Sequence, residues 1–388
     1  MRRTKLGHHV PTGINGFEVQ AFVPRGLPPD PALNISGNLP QLQEQALLAL
    51  GGLNTVSTLL PDSSLFLYSY VRKEAVLSSQ IEGTQASLSD LLLFEADHAP
   101  GVPIDDVTEV SNYVRAVEYG LSRIREGQFI SNALIREIHG ILLSRGRGHK
   151  KTPGRFRDRQ VWVGGWDPTQ AELMPPPHTH VADCMTALMR FLELHDSDIT
   201  VISKAALAHV QFETIHPFLD GNGRMGRLLI TLIMCQAGTL NQPLLYLSLY
   251  FKQHRRDYYN LLTHVRETGD WEEWLAFFFN GVVITAREAI ITAQRLKNMF
   301  QSDVDRIQTE TGRRAGSVLR IHQALKNRPI INLRFAESHS RLTYTTASQA
   351  MDALCELGIV KEITGSQRNR YYAYVGYLDI LNEGTEIL

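Results

Sequence analysis

Residues 216–227 read HPFLDGNGRMGR and join two segments whose apolar residues recur with the period of an α-helix. The apolar positions are Ala205, Leu207, Val210, Phe212 and Ile215 before the motif, and Leu228, Leu229, Leu232 and Ile233 after it. Pro217 cannot continue the first helix, so we expect His216 at its end, in a loop. Gly221 and Gly223 let the backbone turn so that several N–H groups point into one concavity at the start of the second helix. Such a nest is typical of a phosphate-binding site.

The charged residues of the motif favour the same interpretation. Arg224 and Arg227 fall at the positive end of the second helix, where two cations are unfavourable without a negative partner. Asp220 is a hard oxygen ligand suited to Mg²⁺ shared with phosphates. His216 is the group in the motif that titrates near neutral pH, which makes it the candidate general base. The motif therefore predicts a site for a phosphorylated substrate.

Residues 221–226 also spell GxGxxG, the pattern of a dinucleotide-binding turn. That fold needs a strand before the glycines and an acidic residue about 20 positions later. The segment before the motif has a helical pattern, and residues 236–246 contain no acid. The sequence therefore disfavours a dinucleotide-binding fold.

The motif resembles the signature of the Fic family, HPFx(D/E)GNGRxxR, and every fixed position of that signature is present. Residues 155–177 resemble the family's β-hairpin flap, which aligns a target segment. Tyr258 and Tyr259 resemble the tyrosine pair near the adenine. The helical N-terminal region and the C-terminal tail also resemble longer bacterial members, so the likeness covers most of residues 40–380.

The resemblance implies transfer of AMP from ATP to a hydroxyl of a target protein, with ATP and Mg²⁺ as cofactors. It implies that His216 is the base and that Asp220 holds the metal. Phe218 would anchor the loop in the core. The residues that it implies for nucleotide binding are Gly221, Asn222, Gly223, Arg224, Met225, Gly226, Arg227, Tyr258, Tyr259, Glu82, Val163 and Gly164, with Arg224 and Arg227 on the β- and γ-phosphates.

A second motif, SSQIEG at residues 78–83, resembles the family's inhibitory sequence (S/T)xxxE(G/N). Ser78 and Glu82 are four residues apart on one predicted helix, so they share a face. A carboxylate can pair bidentately with a guanidinium group. The resemblance implies Arg227 as the partner of Glu82 and Gly83 as part of the motif. It therefore predicts an autoinhibited enzyme in which Glu82 holds Arg227 away from the γ-phosphate.

Two alternatives to adenylyl transfer remain at the level of sequence. The same site could carry other phosphoryl or nucleotidyl chemistry, including removal of AMP. The chain could also be a winged-helix DNA-binding regulator with a nucleotide-sensing core, in which Arg341, Arg368 and Arg370 reach a duplex. Residues 301–388 carry 11 Lys and Arg against 10 Asp and Glu, a net charge of +1 that gives little support for DNA binding.

The pattern predicts a mainly α fold, with a Fic-type helical core, a β-hairpin flap and a small C-terminal α+β winged-helix domain. The expected divisions are 1–40, an extended N-terminal arm; 41–128, a helical region with the inhibitory motif; 129–298, the Fic core; and 299–388, the winged helix. Polar residues suggest a hinge at 300–316. The order of elements after it is predicted as a helix, a short strand or turn, two more helices and a hairpin.

Composition narrows the class of protein. The 388 residues have a net charge of -1, and 43% are hydrophobic, which argues against a disordered chain or one that coats nucleic acid. No apolar run reaches the roughly 20 residues of a membrane span. No apolar stretch follows the basic start, so we expect no secretory signal. Three separated cysteines favour the reducing cytoplasm. Self-modification and homo-oligomerisation stay open.

Overall fold

The computed structural model describes residues 1–59, 63–96, 102–194, 199–365 and 369–386. The fold is mainly helical, as predicted. The N-terminal elements are β1 Gly7–Ile14, β2 Phe17–Pro24, α1 Leu39–Leu59, α2 Ser63–Ile81, α3 Leu88–Glu95, α4 Ile104–Arg125 and α5 Asn132–Leu142. The central helices are α6 His178–Glu193, α7 Val201–Ile215, α8 Asn222–Gln236, α9 Ser248–Gln253, α10 Arg255–Thr268 and α11 Trp271–Glu310. The C-terminal elements are α12 Ala315–Asn327, β3 Ile330–Asn332, α13 Leu333–Ser340, α14 Tyr344–Glu356, β4 Val360–Glu362, β5 Tyr371–Tyr374 and α15 Val375–Asn382.

Helices α7 and α8 lie at the centre of the core and pack on each other. Their apolar residues are almost all buried, which is the pattern of helices covered on every side. Helix α4 packs on both α5 and α8, and α2 packs on α4 and α9. This arrangement brings the segment after α2 and the loop between α7 and α8 to the same region of the molecule.

Part of the predicted extended arm, residues 7–24, is a hairpin instead, whereas residues 25–38 contain no helix or strand. Strands β1 and β2 form an antiparallel hairpin whose turn is Asn15-Gly16, both with positive φ. Asn-Gly is the strongest sequence signal for a two-residue hairpin turn, so this correction was readable from the sequence. The backbone N–H of Phe22 donates to the carbonyl oxygen of Met174 at 2.8 Å. The hairpin therefore attaches to the flap region.

The predicted β-hairpin flap is reduced to a single antiparallel bridge between Val163 and Leu173. Each of these residues donates its N–H to the other's carbonyl oxygen, at 2.9 and 3.1 Å. Gly164 and Gly165 follow with φ of +68° and +71°, and a Cβ at Gly165 would lie 2.2 Å from the carbonyl oxygen of Gln170. Two consecutive glycines with positive φ turn the chain directly after Val163. The strand pairing therefore does not extend beyond this bridge on that side.

The predicted hinge at 300–316 is also wrong over most of its length, because α11 continues to Glu310. Phe300, Asp303 and Ile307 are buried along one face of this extension, so tertiary packing stabilises a helix whose exposed face is polar. Helix α11 is long and apolar enough to cross a membrane by length and composition, but 56% of its apolar window is buried within the protein. Residues 248–268 form two helices, α9 and α10, which are separated at His254.

The C-terminal elements follow the predicted order of helices and strands, with α15 as an addition. Strands β3, β5 and β4 form an antiparallel sheet in that spatial order. The winged-helix assignment stays a prediction. Arg341 ends α13 with φ +54°, and the Arg370 guanidinium lies over the Tyr372 ring at 5.6 Å. Arg368, the third arginine of the DNA-binding alternative, lies outside the described residues.

Candidate active site

The HPFLDGNGRMGR motif forms the loop between α7 and α8 together with the first turns of α8. His216 ends α7 in the left-handed region, with φ 49° and ψ 60°. Gly221 caps the N-terminus of α8 with φ 75°. The first N–H groups of a helix have no partner four residues earlier, so the start of α8 presents donors to an anion, as the sequence predicted.

The Asn222 side chain holds the loop in shape. Its Oδ1 accepts from the N–H of Phe218, and its Nδ2 donates to the Phe218 carbonyl oxygen, both at 2.9 Å. Asn222 is 2% exposed. The resemblance implied that this residue stabilises phosphate charge. The side-chain amide is used on the loop backbone, so this role, which stays a prediction, would fall to the backbone N–H of Asn222.

His139 of α5 is a second support for the loop, and no sequence pattern predicted it. Its ring stacks on Phe218, with centroids 3.6 Å apart and planes within 4°. Gly154 donates its N–H to Nδ1 at 2.9 Å, so Nε2 carries the proton and donates to the carbonyl oxygen of Asp220 at 3.0 Å. Burial lowers the pKa of His139 to about 4 and keeps the ring neutral.

Arg157 is the third support, and it too was missed as a site residue. It is 3% exposed, and its guanidinium donates to carbonyl oxygens rather than to an acid. The acceptors are the carbonyl oxygens of His216 at 2.9 Å, Pro176 at 2.5 Å, Arg159 at 3.2 Å and Ile215 at 3.4 Å. Burial lowers the pKa of Arg157 to about 10. The contacts tie the flap to the turn that carries His216.

The imidazole of His216 is half-buried beside these groups. Burial lowers the pKa of His216 to about 4, and the positive charge of Arg157 acts in the same direction. Glu82 and the backbone of Glu213 oppose the shift. The ring is therefore neutral at physiological pH and able to accept a proton, which is what a general base requires.

Arg224 has a carboxylate partner that the sequence did not predict. Its Nη1 lies 3.1 Å from Oε2 of Glu109 on α4, and both side chains are almost fully buried. Arg147 lies on the other side of Glu109, with its Nε 2.7 Å from Oε1, and also pairs with Asp106 at 3.0 Å. Glu109 lies 115 residues from Arg224 in the chain, so only the packing of α4 on α8 brings them together.

Arg227 contacts Glu82, the partner that the resemblance implied, and also Ser78, which was not predicted as its partner. Its Nη2 donates to Oε1 of Glu82 at 2.7 Å and to the Ser78 carbonyl oxygen at 2.9 Å. Its Nε donates to the Ser78 hydroxyl at 2.9 Å. Gly83 follows with φ +92°, the left-handed conformation that ends many helices.

The pair of Glu82 and Arg227 is electrostatically favourable. Burial by itself raises the pKa of Glu82, but the guanidinium of Arg227 outweighs burial and leaves the pKa below its ordinary value. Arg227 is 2% exposed, and Glu82 in turn raises the pKa of Arg227. Both groups are therefore charged at neutral pH.

The glycine at 223 makes room for this pair. A Cβ there would lie 2.1 Å from Oε1 of Glu82 and 3.1 Å from Nη1 of Arg227. Gly226 is equally restricted, since its Cβ would lie 2.6 Å from Oε1 of Glu213. Both glycines have helical backbone in α8, so no turn requires them. Glycine is needed here because the side chains of Glu82 and Glu213 lie against these positions.

An open cleft of about 1160 Å³ lies between the flap and α10. Val163, Gly164 and Tyr259 line it, so three of the residues implied for nucleotide or target contact share one surface. Tyr258 does not: it is 1% exposed, and its hydroxyl is 2.9 Å from Nε2 of His209. Met225 is fully buried. The structure corrects both predictions, because these two side chains pack in the core.

Asp220 fits the ligand role that the sequence predicted. Its side chain is 40% exposed beside the N-terminus of α8, and Oδ1 accepts from the N–H of Gly221 at 2.7 Å. A Cβ at Gly148 would lie 2.6 Å from Oδ2, so glycine leaves this carboxylate its space. A single exposed carboxylate is typical of Mg²⁺ sites completed by phosphate oxygens and water.

Two family models match the chain in sequence order. The Fic/DOC family N-terminal model matches residues 41–122, and the Fic/DOC family model matches residues 129–234. The second match ends in α8 and contains the whole HPFLDGNGRMGR motif.

Curated relatives match the same part of the chain. A protein adenylyltransferase Fic from Nematostella vectensis is 34% identical over 204 residues, 52% of this chain and 44% of the relative. A probable protein adenylyltransferase from Aquifex aeolicus is 31% identical over 193 residues, 48% of this chain and 54% of the relative. The chain thus spans about half the length of these relatives.

A solved structure matches more of the chain. A Fic family protein from Desulfovibrio desulfuricans G20 has a TM-score of 0.58 and 20% identity, covering 89% of this chain and 98% of that protein. At this identity the match shows the fold. The sequence motif, the two consecutive family matches and the shared fold agree: residues 41–122 and 129–234 of this chain are Fic/DOC family domains.

Proposed function

We propose that this protein is an adenylyltransferase that moves AMP from ATP to a Ser, Thr or Tyr hydroxyl of a target protein or of itself. The observation that carries the proposal is the loop between α7 and α8, where a neutral imidazole, an exposed carboxylate and a helix N-terminus with two arginines converge. The relatives named protein adenylyltransferase support the same assignment.

The reaction uses the groups of the loop in a defined order. His216 accepts the proton of the attacking hydroxyl, which its depressed pKa permits at neutral pH. The hydroxyl oxygen forms a bond to the α-phosphorus of ATP. The bond from that phosphorus to the bridging oxygen breaks, and pyrophosphate leaves with the electron pair.

The remaining residues position the nucleotide and stabilise its charge. Backbone N–H groups at the start of α8 donate to phosphate oxygens, and Arg224 is held at its place by Glu109. Asp220 would hold Mg²⁺, which supplies positive charge to the phosphates when bound. Most of the rate gain in such a transfer comes from position and a fixed positive field.

The described structure is proposed to be the inhibited state. Arg227 is engaged by Glu82 and Ser78, and its guanidinium is not available to the γ-phosphate in that position. Glu82 contributes a negative charge next to the nest where the phosphates would bind. Loss of Glu82 frees Arg227 and removes this repulsion, so activity should rise.

The test compares wild type, Glu82→Gly and His216→Ala, each incubated with ATP labelled at the α-phosphate. We expect stronger labelling of protein by Glu82→Gly than by wild type and none by His216→Ala. Glu44→Gly, which removes an exposed acid of α1, is the control for a general effect of lost charge. The intact mass of the product should increase by one AMP. A different added mass, or labelling that survives His216→Ala, would contradict the proposal.

A further inference from the structure

The segment that follows α15, residues 383–386, lies across three helices of the core. It is bonded mainly through its backbone carbonyl oxygens. Lys73 of α2 donates to the carbonyl oxygen of Glu383 at 2.7 Å. Gln80, in the last turn of α2, donates to that of Thr385 at 2.9 Å. Lys252 of α9 donates to those of Gly384, at 3.4 Å, and Glu386.

The donors of this contact are buried. Lys73 is 3% exposed and Lys252 is 4% exposed, and Thr385 of the segment is 3% exposed. Burying an ammonium group is unfavourable unless it has acceptors. The segment supplies those acceptors to both lysines, so its position is coupled to the packing of α2 and α9.

Two further features define where the segment lies. Glu383 forms a bidentate ion pair with Arg295 of α11, at 2.6 and 2.7 Å. Gly384 has φ +79°, and a Cβ there would lie 2.8 Å from Cδ1 of Leu249. The segment is therefore fitted to its groove and anchored to α11 as well as to α2.

The contact to α2 lies next to the inhibitory residues. Gln80 is two residues after Ser78 and two before Glu82, and its amide also donates to the Ala86 carbonyl oxygen at 3.1 Å. Arg255 of α10 holds the same end of α2, with its Nε 3.3 Å from the Ile81 carbonyl oxygen. Movement of this last turn would carry Glu82 away from Arg227.

We propose that residues 383–386 act as a clasp that keeps the end of α2 in the position from which Glu82 engages Arg227, and that detachment of this segment relieves the inhibition. The proposal rests on the proposed function, because it names the regulation of that site. The clasp belongs to the C-terminal part of the chain, so whatever displaces that part from the core would activate the enzyme.

Gly384→Val in the full chain tests the clasp, because its side chain collides with Leu249 and touches no residue of the active site. Gly312→Val is the matched control: Gly312 also has positive φ, +54°, but a Cβ there meets nothing within 4 Å. The readouts are hydrogen exchange of the amides of residues 76–82 and protein labelling from α-labelled ATP. Lys252→Met, which removes two contacts and keeps the apolar stem, is the second variant.

We expect Gly384→Val and Lys252→Met to speed exchange in residues 76–82 and to raise labelling about fivefold, the effect of losing one or two net hydrogen bonds. In the Glu82→Gly background they should add nothing, because the inhibitory carboxylate is already absent. Exchange equal to that of Gly312→Val would overturn the clasp. So would faster exchange without increased labelling, provided that Glu82→Gly is active.

The two proposals fail in different ways. If Glu82→Gly yields no label, adenylyl transfer is wrong, and the exchange of residues 76–82 still decides whether the segment restrains α2. If Glu82→Gly is active and the clasp variants are not, only the clasp is wrong.

Discussion

At residue 223 the absence of a side chain determines whether two charged groups can meet. The Oε1 atom of Glu82 occupies the place where a Cβ would lie, within 2.1 Å. Gly223 is helical, so its conformation does not require glycine. The sequence predicted this glycine for a turn of the backbone, which was wrong at this position, and the structure gives another reason for glycine, which is the approach of the Glu82 carboxylate.

Gly223→Ala should therefore destabilise the protein only while Glu82 is present. We expect a loss of about 1–3 kcal/mol in the free energy of unfolding in the wild-type background, from the steric conflict with Glu82. In the Glu82→Gly background the same change should be neutral or slightly stabilising, because alanine favours a helix by about 0.5–1 kcal/mol over glycine. Denaturant unfolding of the four chains measures this coupling.

Equal effects of Gly223→Ala in the two backgrounds would show that Glu82 does not occupy the space beside residue 223. Gly316→Ala is the control, since a Cβ at Gly316 meets nothing within 4 Å.

The depressed pKa of His216 predicts the pH dependence of labelling. With a pKa of about 4, the ring is about 99% neutral at pH 6 and stays so at higher pH. The Glu82→Gly variant removes a charge that raises this pKa, so its ring is neutral over an even wider range. Its initial rate of labelling should not fall from pH 8 to pH 6 through protonation of His216. A loss of rate with a midpoint near 6.5 would contradict this expectation.

At the scale of elements, α11 differs most from the expectation of the sequence. Residues 300–310 are polar on the exposed face, and this composition suggested a hinge. Phe300, Asp303 and Ile307 recur at helical spacing on the other face and are buried against the C-terminal elements. The helix is therefore stabilised by the packing of its buried face. The polar composition of the segment could not predict that packing.

Ser302→Pro tests whether α11 is continuous. Ser302 is exposed, so its side chain contributes little, but proline removes a helical hydrogen bond and collides with the carbonyl of residue 298. We expect a loss of about 3 kcal/mol in the free energy of unfolding, while Ser302→Ala should be nearly neutral. Equal thermal midpoints for the two variants would indicate that this region is a hinge after all.

At the scale of the whole molecule, the C-terminal elements are joined to the helical core by buried and partly buried polar contacts. The Tyr377 hydroxyl is 2.7 Å from that of Ser69, and the Tyr371 hydroxyl donates to the Ala96 carbonyl oxygen at 2.6 Å. Arg328 donates to the Glu95 carbonyl oxygen at 3.0 Å. These contacts join residues of the C-terminal elements to α2 and to the end of α3. The C-terminal part therefore supports both helices.

The full chain should therefore unfold in one cooperative calorimetric transition. Helix α11 belongs to both parts, so neither part can unfold without exposing apolar surface of the other. Cleavage of the chain after residue 298 would divide this helix and should lower the thermal midpoint of the core. Two separated transitions in the intact chain would show that the parts are independent domains.

The sequence was sufficient for the helical class and for the position of the central loop between two helices. His216, Asp220 and Gly221 lie where the central motif predicted, because short-range spacing and local backbone preferences define those positions. The turn at Asn15-Gly16 was equally local and was overlooked. The pair of Glu82 and Arg227 joins residues 145 apart, and it was implied by the family resemblance rather than by local spacing.

Only the tertiary structure shows which residues support that loop and how short the paired strands of the flap are. Glu109, His139 and Arg157 reach it from distances of 59 to 115 residues along the chain, and no local pattern distinguishes them from other polar residues. Tyr258 and Met225 likewise became core residues through packing. Local sequence determines which backbone and which chemistry can form, whereas partners distant in the chain are determined by which helices pack together, and that depends on burial summed over the entire core.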